Sequence, residues 1–159
     1  MTSLRNLPLP AVIAMVLLGS VPRAEEQPQL FPTQDVDVTY DVTRPQQPKV
    51  RQRFRWLTAE HLERIDGPGK AMTIFDRSAH QITLLNPAGR TFRTLEGTPR
   101  GPPEPTAGVE LKRGGESVIA GLHCVDWSWT DEVEMHTICA TADGVPLRVV
   151  VDGATIMQA

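Results

Sequence analysis

Asp35 to Thr43 (DVDVTYDVT) alternates without a break, with Val36, Val38, Tyr40 and Val42 on one side and Asp35, Asp37, Thr39 and Asp41 on the other. An extended chain points successive side chains to opposite faces, so this segment is a half-buried β-strand. Arg44-Pro-Gln-Gln-Pro48 is a turn, and Val50 to Trp56 alternates again, with Val50, Phe54 and Trp56 against Arg51, Arg53 and Arg55. Folding the two strands about Gln46 sets Asp41 opposite Arg51 and Asp37 opposite Arg55. The same register sets Val38 opposite Phe54 and Val36 opposite Trp56, so one pairing satisfies both faces. The acids and arginines then form a solvent-side ladder. Arginines opposite Asp35, Asp37 and Asp41 compete for those carboxylates and argue against a calcium site there.

The period-2 pattern continues over most of the chain. Candidate strands at 61–66, 71–76, 81–85 and 90–95 are separated by Gly67-Pro-Gly69, Arg77-Ser78 and Asn86-Pro-Ala-Gly89. This spacing predicts an antiparallel meander. Residues 57–65 (LTAEHLERI) could instead form two helical turns. The stretch 97–108 holds four prolines and three glycines and is a loop or linker between two halves of the sheet. Further strands are expected at 109–112, 117–130, 133–141, 146–151 and 154–157, with turns at Gly114-Gly115 and Asp143-Gly144. The expectation is an all-β domain, one strongly curved antiparallel sheet of about eight to ten strands with little helix.

The first 24 residues have the layout of a secretory signal peptide: Arg5 near the start, the apolar run Ala11 to Leu18, and small residues towards Ala24. That run is too short for a membrane-spanning helix, which takes about 20 apolar residues. Cleavage after Ala24 leaves 135 residues, a proline-containing flexible lead at 25–33 and the domain at 34–159. Loss of Arg5 and Arg23 takes Lys+Arg from 16 to 14 against 19 acids, a net charge of −5. An acidic chain with scattered basic residues is not built for nucleic acid or anionic lipid headgroups. A periplasmic or secreted protein without stable membrane insertion is expected.

Two cysteines in an exported chain most often pair, a free or catalytic thiol being the competing reading. Folding about Asp131-Glu132 brings Cys124 opposite Cys139, Val125 opposite Ile138 and Trp127 opposite His136. A zinc site from His123, Cys124, His136 and Cys139 would require neighbouring strand residues to face the same way, so a metal is not expected. No nucleophile, metalloprotease or phosphate-loop motif occurs, and neither an enzyme nor a cofactor is expected. Val38, Tyr40, Phe54, Trp56, Trp127 and Trp129 are the candidate apolar binding face. Ordinary core packing is the competing reading for each.

The segment V-I-A-G-L-H-C-V-D-W at 118–127, followed by C-A-T-A-D-G-V-P-L-R at 139–148, resembles exported proteobacterial proteins with an A-G-x-x-C-x-x-W strand. These are similar in turn to the LolA-like envelope carriers. The resemblance implies an incomplete barrel whose concave apolar face holds acyl chains under a helical lid. The proline-rich stretch at 97–108 offers no helix for that lid. The function expected is a non-enzymatic periplasmic binding or carrier protein for a lipid or other hydrophobic ligand. The alternative is a structural or interaction protein of the envelope that meets a protein partner.

Overall fold

A computed structural model describes residues 28–97, 102–131 and 133–159. Residues 1–27, which include the segment expected as a signal peptide, residues 98–101 of the proline-rich loop and residue 132 lie outside the described residues. Among the described residues, eleven antiparallel strands form one sheet that is not closed into a barrel. They are β1 (Val36–Val42), β2 (Val50–Leu57), β3 (Leu62–Asp66), β4 (Met72–Asp76), β5 (Gln81–Asn86), β6 (Thr91–Glu96), β7 (Lys112–Ile119), β8 (Leu122–Thr130), β9 (Met135–Ala140), β10 (Pro146–Val151) and β11 (Ala154–Gln158). The count exceeds the expected eight to ten by one. Among the described residues the only helical turns are short 3-10 segments at Thr58–Glu60 and Pro68–Lys70. The chain at 57–65 is therefore strand, one tight turn and strand.

The spatial order is β6-β5-β4-β3-β2-β1-β11-β10-β9-β8-β7. Strand β1 joins the two halves by pairing with β11 through Asp41↔Gln158 and Val42↔Met157. The β1–β2 register is the one that both faces demand, with Val36↔Trp56, Asp37↔Arg55, Val38↔Phe54 and Asp41↔Arg51 opposite one another. The charge ladder is present and extends to β3. Arg53 Nε lies 2.6 Å from Asp37, Arg51 Nε 3.4 Å from Asp41, and Arg55 reaches Asp66 at 2.6 Å.

Three expectations on the second half are corrected. The turn is not at Gly114-Gly115, which lies within β7 at an irregularity of the ladder between Arg113 and Glu116. It falls at Ala120-Gly121, both with positive φ (50° and 80°), the geometry of a two-residue hairpin turn matched to strand twist. Residues 109–111 are not a strand. The β8–β9 register is displaced by two residues, giving Val125↔Ala140, Trp127↔Ile138 and Trp129↔His136. Asp131 is the cause. Its Oδ1 accepts the backbone N–H groups of Val133 and Glu134, at 3.0 and 2.9 Å, which moves the centre of the hairpin one residue along the chain.

The disulfide survives that displacement. A shift of two keeps every side chain on its face, so Cys124 and Cys139 meet diagonally, with Cα atoms 5.3 Å apart. Around them pack Ile119, Val145 and Leu147. The larger core cluster joins Tyr40, Phe54 and Trp56 to Trp129, Ile138, Val149 and Met157 from the other half. Val36 and Val38 touch both clusters.

Two segments outside the sheet complete this core. Leu30, Val109 and Leu111 pack against the larger cluster. Residues of the lead lie along the β9–β10 turn, where Thr33 N–H donates to Asp143 O at 2.9 Å and Gln34 Nε2 to Asp143 Oδ2 at 2.6 Å. The proline-rich connector links β6 to β7, the strands at opposite edges of the sheet. Its Pro102 and Pro103 approach Phe54, Val149 and Met157 around a small cleft of about 190 Å³.

Candidate functional site

Of the six residues named as a binding face, five are buried and one half-buried. Tyr40 (0 % exposed), Phe54, Trp56 and Trp129 belong to the larger cluster, and Val38 packs on it. Tyr40 stands edge-on to Phe54 and Trp56 at 5.0 and 6.4 Å, and its Oη donates to the Pro146 carbonyl at 2.7 Å. Burial pushes the Tyr40 phenol well above its ordinary pKa. Trp129 stacks on His136, whose Nε2 lies 2.7 Å from Asp131 Oδ2. Trp127 borders a separate cleft beside Cys124.

Trp56 differs from the others because it borders two open clefts. The larger, about 450 Å³, combines Val36, Trp56, Leu57, Leu62 and Ile74 with charged side chains at its margin, among them Arg55 and Arg64. The second, about 280 Å³, shares Trp56, Leu57 and Leu62 and adds Thr58, His61 and Arg77, with Phe31 and Pro32 from the lead. Leu57 and Leu62 are a cross-strand pair at the end of the β2–β3 hairpin, and the two clefts lie about that pair. Leu57 is 43 % exposed. The clefts thus flank a partly exposed apolar pair.

Polar chemistry at the second cleft centres on Arg77. Its Nη2 lies 2.9 Å from Glu63 and its Nη1 2.6 Å from Glu104 of the connector, while the guanidinium sits 4.6 Å from the centre of the Phe31 ring. Glu63 has no solvent exposure and faces Trp56 across the β2–β3 ladder. Burial pushes its carboxyl up, and the Arg77 bond and charge pull it back. Asp35 accepts the Thr58 backbone N–H at 2.8 Å. Among the described residues, Trp56 Nε1, Thr58 Oγ1, Glu63 Oε1 and Arg77 Nε are buried atoms without a hydrogen-bond partner. Most buried polar groups in folded proteins are paired, so four in one neighbourhood are unusual.

Sequence reasoning passed over Leu57, Thr58, Leu62, Glu63 and Arg77. One signal was available. In VRQRFRWL, Leu57 occupies the face of Arg51, Arg53 and Arg55, an apolar residue where the alternation calls for a charge. Its partner Leu62 repeats the exception. No local pattern links Arg77 to Glu63, because the link runs across neighbouring strands.

The zinc grouping weighed from the sequence is dismantled by pairing, since Cys124 and Cys139 are bonded to each other and His136 to Asp131. Among the described residues no helix is long and apolar enough to cross a membrane. The chain matches no protein-family model and no curated protein.

Proposed function

We propose that this is an exported, non-enzymatic binding protein for a small hydrophobic ligand, working in the periplasm or outside the cell. The observation that carries the reading is the pair of clefts about Leu57 and Leu62. The larger volume, about 450 Å³, is within the range of small-molecule sites, and its apolar walls have polar groups at the margin. This refines the expectation of a carrier. The reading places the ligand at the end of the β2–β3 hairpin, where Trp56 of the expected apolar face borders both clefts. The disulfide accords with an oxidising compartment.

A fluorescent apolar probe, N-phenylnaphthylamine, tests this directly. The protein is expected to enhance its emission saturably, and Leu57→Asp to abolish the effect. Because Leu57 is 43 % exposed, the melting temperature of that variant should stay close to the parent's. Absence of probe binding, or equal binding by the variant, overturns the proposal. Native mass spectrometry of freshly purified protein would identify a co-purified ligand. The second reading, an interaction protein of the envelope, draws on Phe92, 75 % exposed on edge strand β6.

A further inference from the structure

The two edges of the sheet differ in how they meet another chain. Strand β7 carries devices that discourage pairing: Lys112 and Arg113 side by side, then the irregularity of its ladder at Gly114-Gly115. Strand β6 has neither bulge nor proline and pairs with β5 in unbroken register from Thr91 to Glu96. Five of its six residues are exposed, Phe92 by 75 %. An even, exposed strand of this kind is a template for a further strand.

The ladder shows which backbone groups that template offers. Gly97 N–H donates to His80 O at 3.0 Å, and bonding direction alternates along an antiparallel strand. Thr91, Arg93 and Leu95 therefore bond towards β5. Phe92, Thr94 and Glu96 direct their N–H and C=O groups to the open side, where among the described residues no strand lies.

Those outward groups are self-complementary about Thr94. A two-fold axis that continues an antiparallel sheet sets residues of one face opposite each other, so the register is centred on a residue. Centring on Arg93 sets two guanidinium groups opposite, which is unfavourable. Centring on Leu95 carries Phe92 past the end of the opposing strand. Centring on Thr94 sets Thr94 opposite Thr94 and Phe92 opposite Glu96 twice, and every outward group finds a partner. Thr94 Oγ1 already lies 3.5 Å from Thr83 Oγ1, and the same register extends that row of hydroxyls across the axis.

We infer that β6 docks against β6 of a second copy of this chain, antiparallel about a two-fold axis at Thr94. The contact is isologous and closes at two copies. It goes beyond the proposed binding function, since β4 and β5 separate this edge from the β2–β3 hairpin and its clefts.

Sedimentation equilibrium of the protein and its variants tests the pairing. A six-residue strand contact is small beside a standard interface of about 1,600 Å². The dimer is therefore expected to dissociate on dilution through the micromolar range. Thr94→Pro removes an outward N–H and no bond to β5, a place where an edge strand admits proline. That variant should be monomeric at every concentration, with a melting temperature close to the parent's and unchanged enhancement of N-phenylnaphthylamine. Thr94→Lys sets two like charges opposite at the axis and answers the question if Thr94→Pro fails to fold. Thr94→Cys should give a disulfide-linked dimer on oxidation, and Arg93→Cys far less of it. A parent that stays monomeric, association that survives these proline and lysine substitutions, or growth beyond two copies overturns the inference while the binding function stands. Failure of the probe to bind removes the binding function and leaves the pairing.

Discussion

Tyr40 holds the only phenol of the chain, and its Oη bonds to the Pro146 carbonyl where neither residue meets solvent. Tyr40→Phe leaves that carbonyl buried without its donor, and the expected loss is about 1–3 kcal/mol, read from denaturant midpoints. Gly144 is a second residue that tolerates no change. Its φ of +86° disfavours any side chain, and a Cβ there would overlap the backbone carbonyl of Phe31. Gly144→Ala should destabilise by about 1–3 kcal/mol, and by less if the lead yields. The placement of Tyr40 on the buried face was legible from alternation alone. Its hydrogen bond was not, because the partner lies 106 residues away in another strand. Thr58, Glu63 and Arg77 were illegible for the same reason, whereas Leu57 announced itself by standing in an arginine's position.

At the scale of the element, two hairpins with equally clear patterns gave different outcomes. The β1–β2 register followed from charges on one face and apolar residues on the other, and both constraints fixed the same pairing. The β8–β9 hairpin carried one strong constraint, the cysteines, and that constraint tolerates a shift of two. The turn decided the register through the Asp131 carboxylate, a local bond that periodicity does not encode. Backbone N–H groups of Val133 and Glu134, with His136, hold that carboxyl at about 2, below its ordinary value. Its folded pKa is depressed, so the stabilisation is present above the unfolded value of about 3.9 and disappears as pH falls through about 2. Asp131→Asn should therefore flatten the acid limb of a thermal stability profile between about pH 4 and pH 2. Equal limbs in parent and variant would rule out this contribution. Reduction of the disulfide, which closes a separation of 15 residues, should cost roughly 3 kcal/mol in the chain-entropy model. Denaturation with and without reductant measures it.

At the scale of the whole molecule, the proline-rich connector joins β6 and β7, the two edge strands. The sequence identified that stretch as a loop between two halves but could not say that the halves end at opposite edges, because strand order depends on β1 pairing with β11. Apolar contacts of Val109 and Leu111 anchor the connector, and the Arg77–Glu104 pair ties it to the candidate site. That pair is partly exposed, so Glu104→Ala should change overall stability by no more than about 1 kcal/mol. Amide exchange over residues 102–108 should nevertheless quicken, while exchange in the sheet stays unchanged. Exchange unaltered in both regions would mean that the apolar anchors suffice.

Following the strands from β7 to β11 and on through β1 to β6 gives an unbroken series of neighbours, and among the described residues β1–β11 is the only pair not adjacent in sequence. The chain is thus a ring of hairpins opened at its middle. A circular permutant that joins the end of β11 to the start of β1 by a short linker and opens the connector would convert every strand pairing into a local one. Loop-closure entropy delays distant contacts and sets folding speed more than it sets stability. Such a permutant, with residues 28–35 of the lead retained within the linker, should refold faster than the parent.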